Sequence, residues 1–352
     1  MRQYFFYRFL LIVPTLVLIL SLNFFLVANL PGGPIDYVLH KLHMHESSYL
    51  TPWNEPHNIH QSSLSTVEQS IHPTSLLEKK YGLDNSTYHR YLSMLYALLQ
   101  LDFGISYYHS LPVFSLILSK LPISFCLSFL SCILSYLLAI SLGTFKALYP
   151  LSTFDRITNI MLLSLKAIPT ILLAFILLHC FANAEILYIF PSHGLTSYHH
   201  SQLSLLGKFF DYAWHLVLPV VAMSASTCAS LCFLVKHTIQ AEMHKTYVIQ
   251  ARAKGLSEPL IIYHHVLHNA LLSALSNLPV VFKNKFFSGA LFIEIVFSLD
   301  GIGQLSYQAI ITRDYPVVFG CLFIFTLIGL IVNIAVDLCY WYLDKRIDYR
   351  VY

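Results

Sequence analysis

Long runs of apolar residues without a charged side chain recur along this sequence. Four of them are unbroken, namely Phe9–Ala28, Leu121–Leu142, Tyr212–Val235 and Tyr315–Val336. A helix needs about 20 apolar residues to cross the hydrocarbon core of a bilayer, and each run reaches that length. The pattern therefore predicts four transmembrane helices.

Two further runs carry charges but still predict spans. Ile157–Ala182 is interrupted only by Lys166, near its start, where a long side chain can reach the lipid head groups. Ala274–Leu299 contains two lysines and a glutamate, yet its second half is predominantly apolar. With these two runs, the sequence predicts an all-α integral membrane protein of six transmembrane helices.

Composition agrees with a lipid environment. Charged residues make up 11% of the 352 positions, against about 25% in soluble proteins. Six of the seven cysteines fall within the predicted spans and Cys339 lies three residues beyond the last one, so no disulfide framework is expected. Cys228 and Cys232 lie on one helix face, which would suit either a metal ion or close packing between helices. The N-terminal apolar run lacks an Ala-x-Ala cleavage site and is expected to remain as the first span.

Lysine and arginine are concentrated on one side of the predicted membrane. If the N-terminus is inside, the short outer loops contain only Lys208 and Arg313. The cytoplasmic side of a membrane protein is the side richer in these residues. We therefore expect a multi-pass protein with both termini in the cytoplasm.

The predicted spans divide the chain into four parts. Residues 1–28 form an N-terminal segment and the first span, and residues 29–120 form an extracytoplasmic segment. Residues 121–343 form the transmembrane core, and residues 344–352 form a cytoplasmic tail.

The extracytoplasmic segment changes character along its length. Its first half is polar and rich in histidine, and His40, His43 and His45 are close enough to chelate nickel or zinc. No carboxylate cluster or thiol accompanies them, so we assign no metal site. Leu76–Leu101 has apolar residues at helical spacing, which predicts two short helices over the outer mouth.

A cytoplasmic segment, residues 236–272, is too amphipathic to be a simple linker. Its pattern predicts a helix over Thr238–Lys254, a left-handed terminating residue at Gly255, and a second helix that Ser257 caps and that runs through Leu272. The polar and apolar side chains at the bend could insert into a groove on another protein. An amphipathic helix resting on the inner leaflet would show the same pattern.

Several motifs in this sequence occur together in one known family. They are Leu30-Pro31-Gly32-Gly33-Pro34, Leu101-Asp102-Phe103-Gly104-Ile105-Ser106, Ala251-Arg252-Ala253-Lys254-Gly255-Leu256-Ser257, Asn269-Ala270-Leu271-Leu272, Gly301-Ile302-Gly303 and Arg313-Asp314-Tyr315-Pro316-Val317-Val318. With them the sequence resembles the permease subunits of bacterial binding-protein-dependent ABC importers. The resemblance is to the dipeptide, oligopeptide and nickel group, and in particular to oligopeptide permease B. Asp300 and His268 depart from the family pattern, which has a proline and an arginine there.

The resemblance implies a type I importer fold in the bacterial inner membrane. It implies that the segment 236–272 is a coupling loop that docks onto a separate ATPase. The site residues it assigns are Ala251, Arg252, Ala253, Lys254, Gly255, Leu256, Ser257, Leu267 and Asn269. Such a chain forms half of a translocation pathway for short peptides. The implied partners are a second permease, two ABC ATPases, an extracytoplasmic solute-binding protein and membrane lipid, but no nucleic acid.

The chain contains no Gly-x4-Gly-Lys-Ser/Thr loop that could hold nucleotide phosphates. We therefore expect no cofactor and no catalytic residue in this chain, and any ATP hydrolysis must come from separate subunits. A nickel or metal-chelate permease of the same group is an alternative. An ATP-independent secondary transporter or channel is another, but it would predict internal repeats, and none is visible.

Charged residues within predicted spans are candidates for a solute path, because burying them in lipid is costly. Lys283 and Glu294 are separated by eleven positions, or three helical turns, and are expected on one helix face. One hypothesis is that either residue meets a peptide terminus. The alternative is that the lysines reach the inner interface and Glu294 forms bonds within the bundle.

Overall fold

The structure, a computed structural model, describes residues 9–29, 86–183 and 185–343. Over those ranges the regular secondary structure is helical, with one isolated antiparallel bridge between Ile105 and Pro112. The helices are α1 (Ile12–Ala28), α2 (Thr87–Leu99), α3 (Val113–Leu148), α4 (Thr153–Ala167), α5 (Thr170–Phe181), α6 (Leu205–Met243), α7 (Thr246–Ala253), α8 (Glu258–Leu260), α9 (Leu267–Leu275), α10 (Leu278–Asn284), α11 (Ala290–Val296), α12 (Ile302–Ile311) and α13 (Tyr315–Leu343). Two π turns, Ile261–Val266 and Lys285–Gly289, join α8 to α9 and α10 to α11.

The all-helical class is confirmed, but the count of six full-length spans is not. Among the described residues, α3, α6 and the Tyr315–Ala335 part of α13 are long and apolar enough to cross a membrane. The α4–α5 pair would add a fourth span if it is counted as one broken helix, and α1 is a shorter apolar helix. The predicted fifth span is divided among α9, α10, the second π turn and α11.

The predicted third span, Ile157–Ala182, is wrong as a single helix. The chain bends by 107° between α4 and α5. Pro169 has no amide hydrogen to continue the helix, and Ile168 before it is forced into the extended region at φ −76° and ψ 124°. Ser152 starts α4 as its N-cap, because its hydroxyl accepts a hydrogen bond from the amide of Asp155 at 3.1 Å.

The second and fourth predicted spans are longer than the sequence indicated. α3 begins at Val113 rather than Leu121, and α6 covers Leu205–Met243. Lys120, which marked the predicted boundary, lies inside α3, and its ammonium forms an ion pair with Asp300. Ser204 caps α6 by accepting a hydrogen bond from the amide of Gly207 at 3.2 Å. Both helices therefore extend beyond their apolar runs, and Ser204 supplies the cap at the start of α6.

The chain forms two compact units. The first contains Leu118–Leu305 with the described parts of Met1–Phe9 and Leu327–Tyr352. Its main apolar cluster includes Leu127 of α3, Ala174 of α5, Met223 of α6 and Ile293 of α11, all buried. Small and medium side chains thus bring four helices together in this unit.

The second unit contains Leu10–Ile117 and Ser306–Thr326. In it, the buried Asp314 accepts a hydrogen bond from the hydroxyl of Ser106 at 2.5 Å and from the amides of Tyr107 and Tyr108 at 3.2 Å each. The carboxylate therefore joins two of the sequence motifs, residues 101–106 and 313–318. α2 is fastened to α1 by a hydrogen bond of 2.7 Å between the hydroxyls of Tyr91 and Ser21.

Some predictions lie outside the described residues. These are the histidines at positions 40, 43 and 45, the Leu30–Pro34 motif and both chain termini. Of the two short helices predicted within Leu76–Leu101, the later one is present as α2. Cys228 and Cys232 are both buried in α6. Within residues 9–29, 86–183 and 185–343, no group of three or more His, Cys, Asp or Glu side chains is placed to hold a metal ion.

Candidate functional site

The chain between α6 and α10 forms the bent segment that the sequence predicted, and we call residues 244–275 the coupling segment. The single helix predicted over Thr238–Lys254 is wrong at its middle, because α6 ends at Met243 and α7 begins at Thr246. Lys245 takes an extended conformation there, at φ −74° and ψ 149°. Its ammonium lies 2.6 Å from the carboxylate of Glu242, so an ion pair connects the two sides of the break.

Gly255 forms the bend between α7 and α8, as predicted. Its φ is +79°, in the left-handed region that favours glycine. The amide of Leu256 donates to the carbonyl of Ala251 at 3.3 Å, and the amide of Gly255 donates to that of Arg252 at 2.9 Å. This pair of bonds is a Schellman motif, which satisfies the last carbonyls of α7. Ser257 occupies the N-cap position of α8 but makes no side-chain cap bond.

The base of the coupling segment is buried. Val248 and Ala251 of α7 pack in one apolar cluster with Ala147 of α3 and with Val235 and Ile239 of α6. Other members of this cluster are Ile261, Val266, Ala270 and Ala274, with Tyr247 and Leu267 packed against it. The segment is therefore seated on the ends of two long helices. Two of the site residues assigned from the sequence, Ala251 and Leu267, belong to this buried apolar cluster.

A partly buried hydroxyl, that of Tyr247, connects the arms of the coupling segment. Tyr247 donates to the carboxylate of Glu242 at 2.8 Å, and the side-chain amide of Asn269 donates to the Tyr247 hydroxyl at 3.1 Å. The Tyr247 phenol is protonated at neutral pH and can donate, and burial raises its pKa further. Asn269 also donates to the carbonyl of His265 at 3.0 Å. The sequence assigned Asn269 to the site, and its role is internal to the segment.

Removing this hydroxyl should loosen the segment. We expect Tyr247→Phe to destabilise the purified protein by about 0.5–1.5 kcal/mol, because Glu242 and Asn269 each lose one hydrogen-bond partner. Tyr263 is the matched control, since it lies in the same segment and is 64% exposed. Thermal unfolding in detergent would measure both variants. Equal melting temperatures for Tyr247→Phe and Tyr263→Phe would contradict the prediction.

The tip of the coupling segment is exposed without interruption from Arg252 to Leu260. Across the bend, Arg252 and Glu258 form a bidentate ion pair, with Nε to Oε1 at 2.6 Å and Nη2 to Oε2 at 3.2 Å. The hydrogen bond with Arg252 lowers the pKa of Glu258, and the same bond raises the pKa of Arg252. Glu258 was not assigned from the sequence. The only sequence signal for this pair was that Glu258 follows the turn at Gly255, which reverses the chain toward Arg252.

Four large apolar side chains lie in this tip or next to it in sequence. With Arg252 and Lys254 they form what we call the docking face. They are Ile249, Leu256, Leu260 and Tyr263, exposed by 56%, 37%, 41% and 64% respectively. Exposed apolar residues bordered by Lys254 and by the Arg252–Glu258 pair are suited to an apolar groove with a polar rim. The buried base and the Gly255 turn hold this face in a defined shape.

The charged residues of the predicted fifth span are separated by the π turn Lys285–Gly289. A π turn holds roughly one extra residue, which rotates the next helix by about 100° around its axis. Lys283 and Glu294 therefore do not share one continuous helical face, because that expectation assumed an uninterrupted α-helix. Lys283 is partly exposed. Lys285 is 4% exposed and donates to the carbonyl of Met223 at 2.7 Å, so it does not reach the interface.

Glu294 is fully buried and forms bonds within the bundle. Its carboxylate accepts hydrogen bonds from the hydroxyl of Ser124 at 2.5 Å and from the amide of Gln304 at 2.8 Å. A Cβ atom at Gly301 would lie 2.5 Å from Oε2 of Glu294, and one at Gly303 would lie 2.9 Å from it. The Gly-Ile-Gly motif therefore encloses this carboxylate at the N-terminus of α12, where a negative charge is favourable. Pattern reasoning missed Ser124 because it is distant in sequence.

Apolar helices long enough to cross a bilayer, joined to an exposed bent segment with a buried base, define a polytopic membrane protein. The comparisons with known proteins specify it further. The model of the family described as "Binding-protein-dependent transport system inner membrane component" matches residues 136–349. The chain belongs to this family and is an inner-membrane permease subunit of an ABC importer. The secondary-transporter alternative is therefore wrong.

Similar proteins cover the chain from end to end. The inner membrane ABC transporter permease protein YejB of Escherichia coli O157:H7 is 38% identical over 99% of this chain and 100% of its own length. The peptidoglycan transport system permease protein YejB of Agrobacterium fabrum is 38% identical over 99% of each chain. The oligopeptide transport system permease protein AppB of Bacillus subtilis is 28% identical over 99% of this chain and 100% of its own length.

A solved structure supports the fold. A chain of the MetNI methionine ABC transporter in inward-facing conformations is similar with a TM-score of 0.51. The similarity covers 66% of this chain and 97% of that chain, at 14% sequence identity. At this identity the likeness concerns the fold alone, and it agrees with the importer-permease architecture that the motifs implied.

Proposed function

We propose that this chain forms half of a translocation pathway for short peptides and receives mechanical work from separate ATPase subunits through its docking face. The observation that carries this proposal is the coupling segment, with an exposed tip from Arg252 to Leu260 on a base packed against α3 and α6. The relatives named for oligopeptide and peptidoglycan transport support a peptide-like solute. None of the relatives named above is described as a nickel permease, so they do not support that alternative.

The proposed assembly has a second permease, two ABC ATPases and an extracytoplasmic solute-binding protein. The docking face supports the ATPase contact, because apolar side chains beside Arg252 and Lys254 suit a groove on a soluble subunit. The distribution of lysine and arginine supports a cytoplasmic position for this face and for both termini. Movement of the ATPases would then bias two states of the helix bundle.

Purification of the assembled complex would test the proposal. The tagged chain would be extracted in mild detergent with its partners, and the co-purifying subunits would be identified. The complex would then be placed in lipid vesicles with its binding protein and a labelled tripeptide. We expect ATPases to co-purify and ATP to drive tripeptide uptake. A chain that purifies without ATPases and transports without ATP would contradict the proposal.

Lys283 remains the candidate for contact with the solute, because it is partly exposed whereas Glu294 is fully buried. If its ammonium meets the terminal carboxylate of a peptide, Lys283→Ala should lower uptake about tenfold, which corresponds to about 1.4 kcal/mol. The rate of ATP hydrolysis should change little. Lys166, an exposed lysine of α4, supplies the control variant Lys166→Ala. Normal uptake by Lys283→Ala would remove this residue from the solute path.

A further inference from the structure

A buried cluster of charges lies where α3, α4 and α6 meet, and we call it the charge cluster. Lys236 of α6 donates to both carboxylate oxygens of Asp155 in α4, at 2.8 Å each. The ammonium of Lys146 in α3 lies 3.8 Å from the same carboxylate and donates to Oδ1 of Asn159 at 2.7 Å. It also lies 5.0 Å from the centre of the Phe233 ring.

The composition of the charge cluster is unfavourable for stability alone. Its side chains are almost inaccessible, with exposures of 0% for Lys146, 4% for Asp155 and 12% for Lys236. Two ammonium groups therefore share one carboxylate away from water. Burying ions costs more than their pairing returns in many proteins, and apolar replacements are often neutral or stabilising. Stability alone therefore does not account for the charges at this position.

The charge cluster is continuous with the base of the coupling segment. Lys146 directly precedes Ala147, and Lys236 directly follows Val235, and both apolar neighbours pack in the same cluster as Val248 and Ala251. α3 and α6 are also in close contact there, because a Cβ atom at Gly143 would lie 2.8 Å from Cβ of Val235. A displacement of the coupling segment therefore reaches both lysines through two adjoining backbones.

Asp155 connects these lysines to α4. It lies in the first turn of the helix, and its carboxylate accepts a hydrogen bond from the amide of Leu151 at 3.2 Å. The hydroxyl of Ser152 accepts a hydrogen bond from the amide of Asp155. The Asp155 carboxylate is therefore held at the start of α4. α4 then leads through the 107° bend to α5, where Ala174 is buried with Met223 in the main apolar cluster.

We propose that Asp155 is a positioning residue that passes movement of the coupling segment to the α4–α5 pair. This inference rests on the proposed function, because it requires ATPases that move the segment. Lys146 of α3 and Lys236 of α6 are both attracted to the Asp155 carboxylate, so α4 moves together with both helices. The bend converts a displacement of α4 into a movement of α5 within the bundle. Without the ion pair, ATP hydrolysis continues but the bundle responds to it poorly.

The test replaces both partners so that the net charge of the cluster is unchanged. Asp155→Asn and Lys236→Gln would be combined in one chain and studied in the full complex in lipid vesicles. The matched control combines Asp300→Asn and Lys120→Gln, another lysine–aspartate pair of the same unit, with side-chain exposures of 70% and 22%. The readout is the amount of labelled tripeptide imported for each ATP hydrolysed.

We expect the Asp155–Lys236 variant to retain its ATPases and to hydrolyse ATP, with import per ATP reduced roughly tenfold. The control should keep the ratio of the unmodified complex. An unchanged ratio in the Asp155–Lys236 variant would overturn the inference. So would loss of ATPases from that variant alone, because the charge cluster would then serve assembly. If the unmodified complex itself lacks ATPases, the proposed function fails first, and the two failures are distinguishable.

Discussion

Gly255→Val is expected to separate the permease from its ATPases and to abolish import. At a φ of +79°, a β-branched residue is a strong outlier, and a left-handed conformation costs an L-residue roughly 1–2 kcal/mol. The segment would relieve this strain by opening the turn, which would displace Leu256 and break the pair between Arg252 and Glu258. Co-purification of the ATPases and tripeptide uptake would measure the effect.

Gly194 offers a control, because it has a similar positive φ in another part of the chain. Its φ is +80°, and a Cβ atom at either glycine would meet nothing within 4 Å. Gly194→Val should therefore carry a similar conformational cost without affecting the docking face. Gly255→Asn should be much milder than Gly255→Val, because asparagine tolerates the left-handed region. Equal loss of ATPases from the Gly194 and Gly255 variants would contradict a specific role for this turn.

Gly301→Ala is expected to be the most destabilising single substitution of the bundle that we consider. The new methyl group would lie 2.5 Å from Oε2 of Glu294, a carboxylate that is fully buried and held by Ser124 and Gln304. Overpacking of this kind costs about 1–3 kcal/mol and sometimes more. The melting temperature of the purified protein in detergent should fall accordingly.

Two comparisons make this prediction specific. Gly289→Ala should have a small effect, because its nearest neighbour is the flexible end of Met223, with Cε at 3.1 Å. Combining Gly301→Ala with Glu294→Ala should cost less than the sum of the single variants, since removal of the carboxylate makes room for the methyl group. Strict additivity of the two substitutions would show that Glu294 does not enclose the space at Gly301.

The parts of the fold that local chemistry determines were predictable from the sequence. Gly255 was identified as a left-handed terminator because a helical pattern ended there and glycine adopts positive φ without strain. The apolar runs located α3, α6 and α13. The all-helical class followed from those runs, and the importer family followed from the motifs that they connect.

The features that depend on distant contacts were not predictable. Lys236 pairs with Asp155, which lies 81 positions away in sequence, inside the first unit. Glu294 was a candidate for the solute path because a charge within a span is costly, and the alternative of bonds within the bundle did not identify its distant partner Ser124. Pro169 was visible, but a proline in an apolar run is compatible with a kinked span as well as with the 107° bend. The Glu258 pair also needed the geometry of the turn.

The Arg252–Glu258 pair and the hydrogen bonds around Gly255 have a kinetic consequence for the transport cycle. Each flexible side chain that becomes immobile on association costs about 0.5–1.5 kcal/mol, and a disordered loop must also be ordered at every encounter. If this bend contacts the ATPases as proposed, it is already ordered before binding and loses little conformational entropy on association. The energy of each turnover would then go into moving helices and not into ordering the loop.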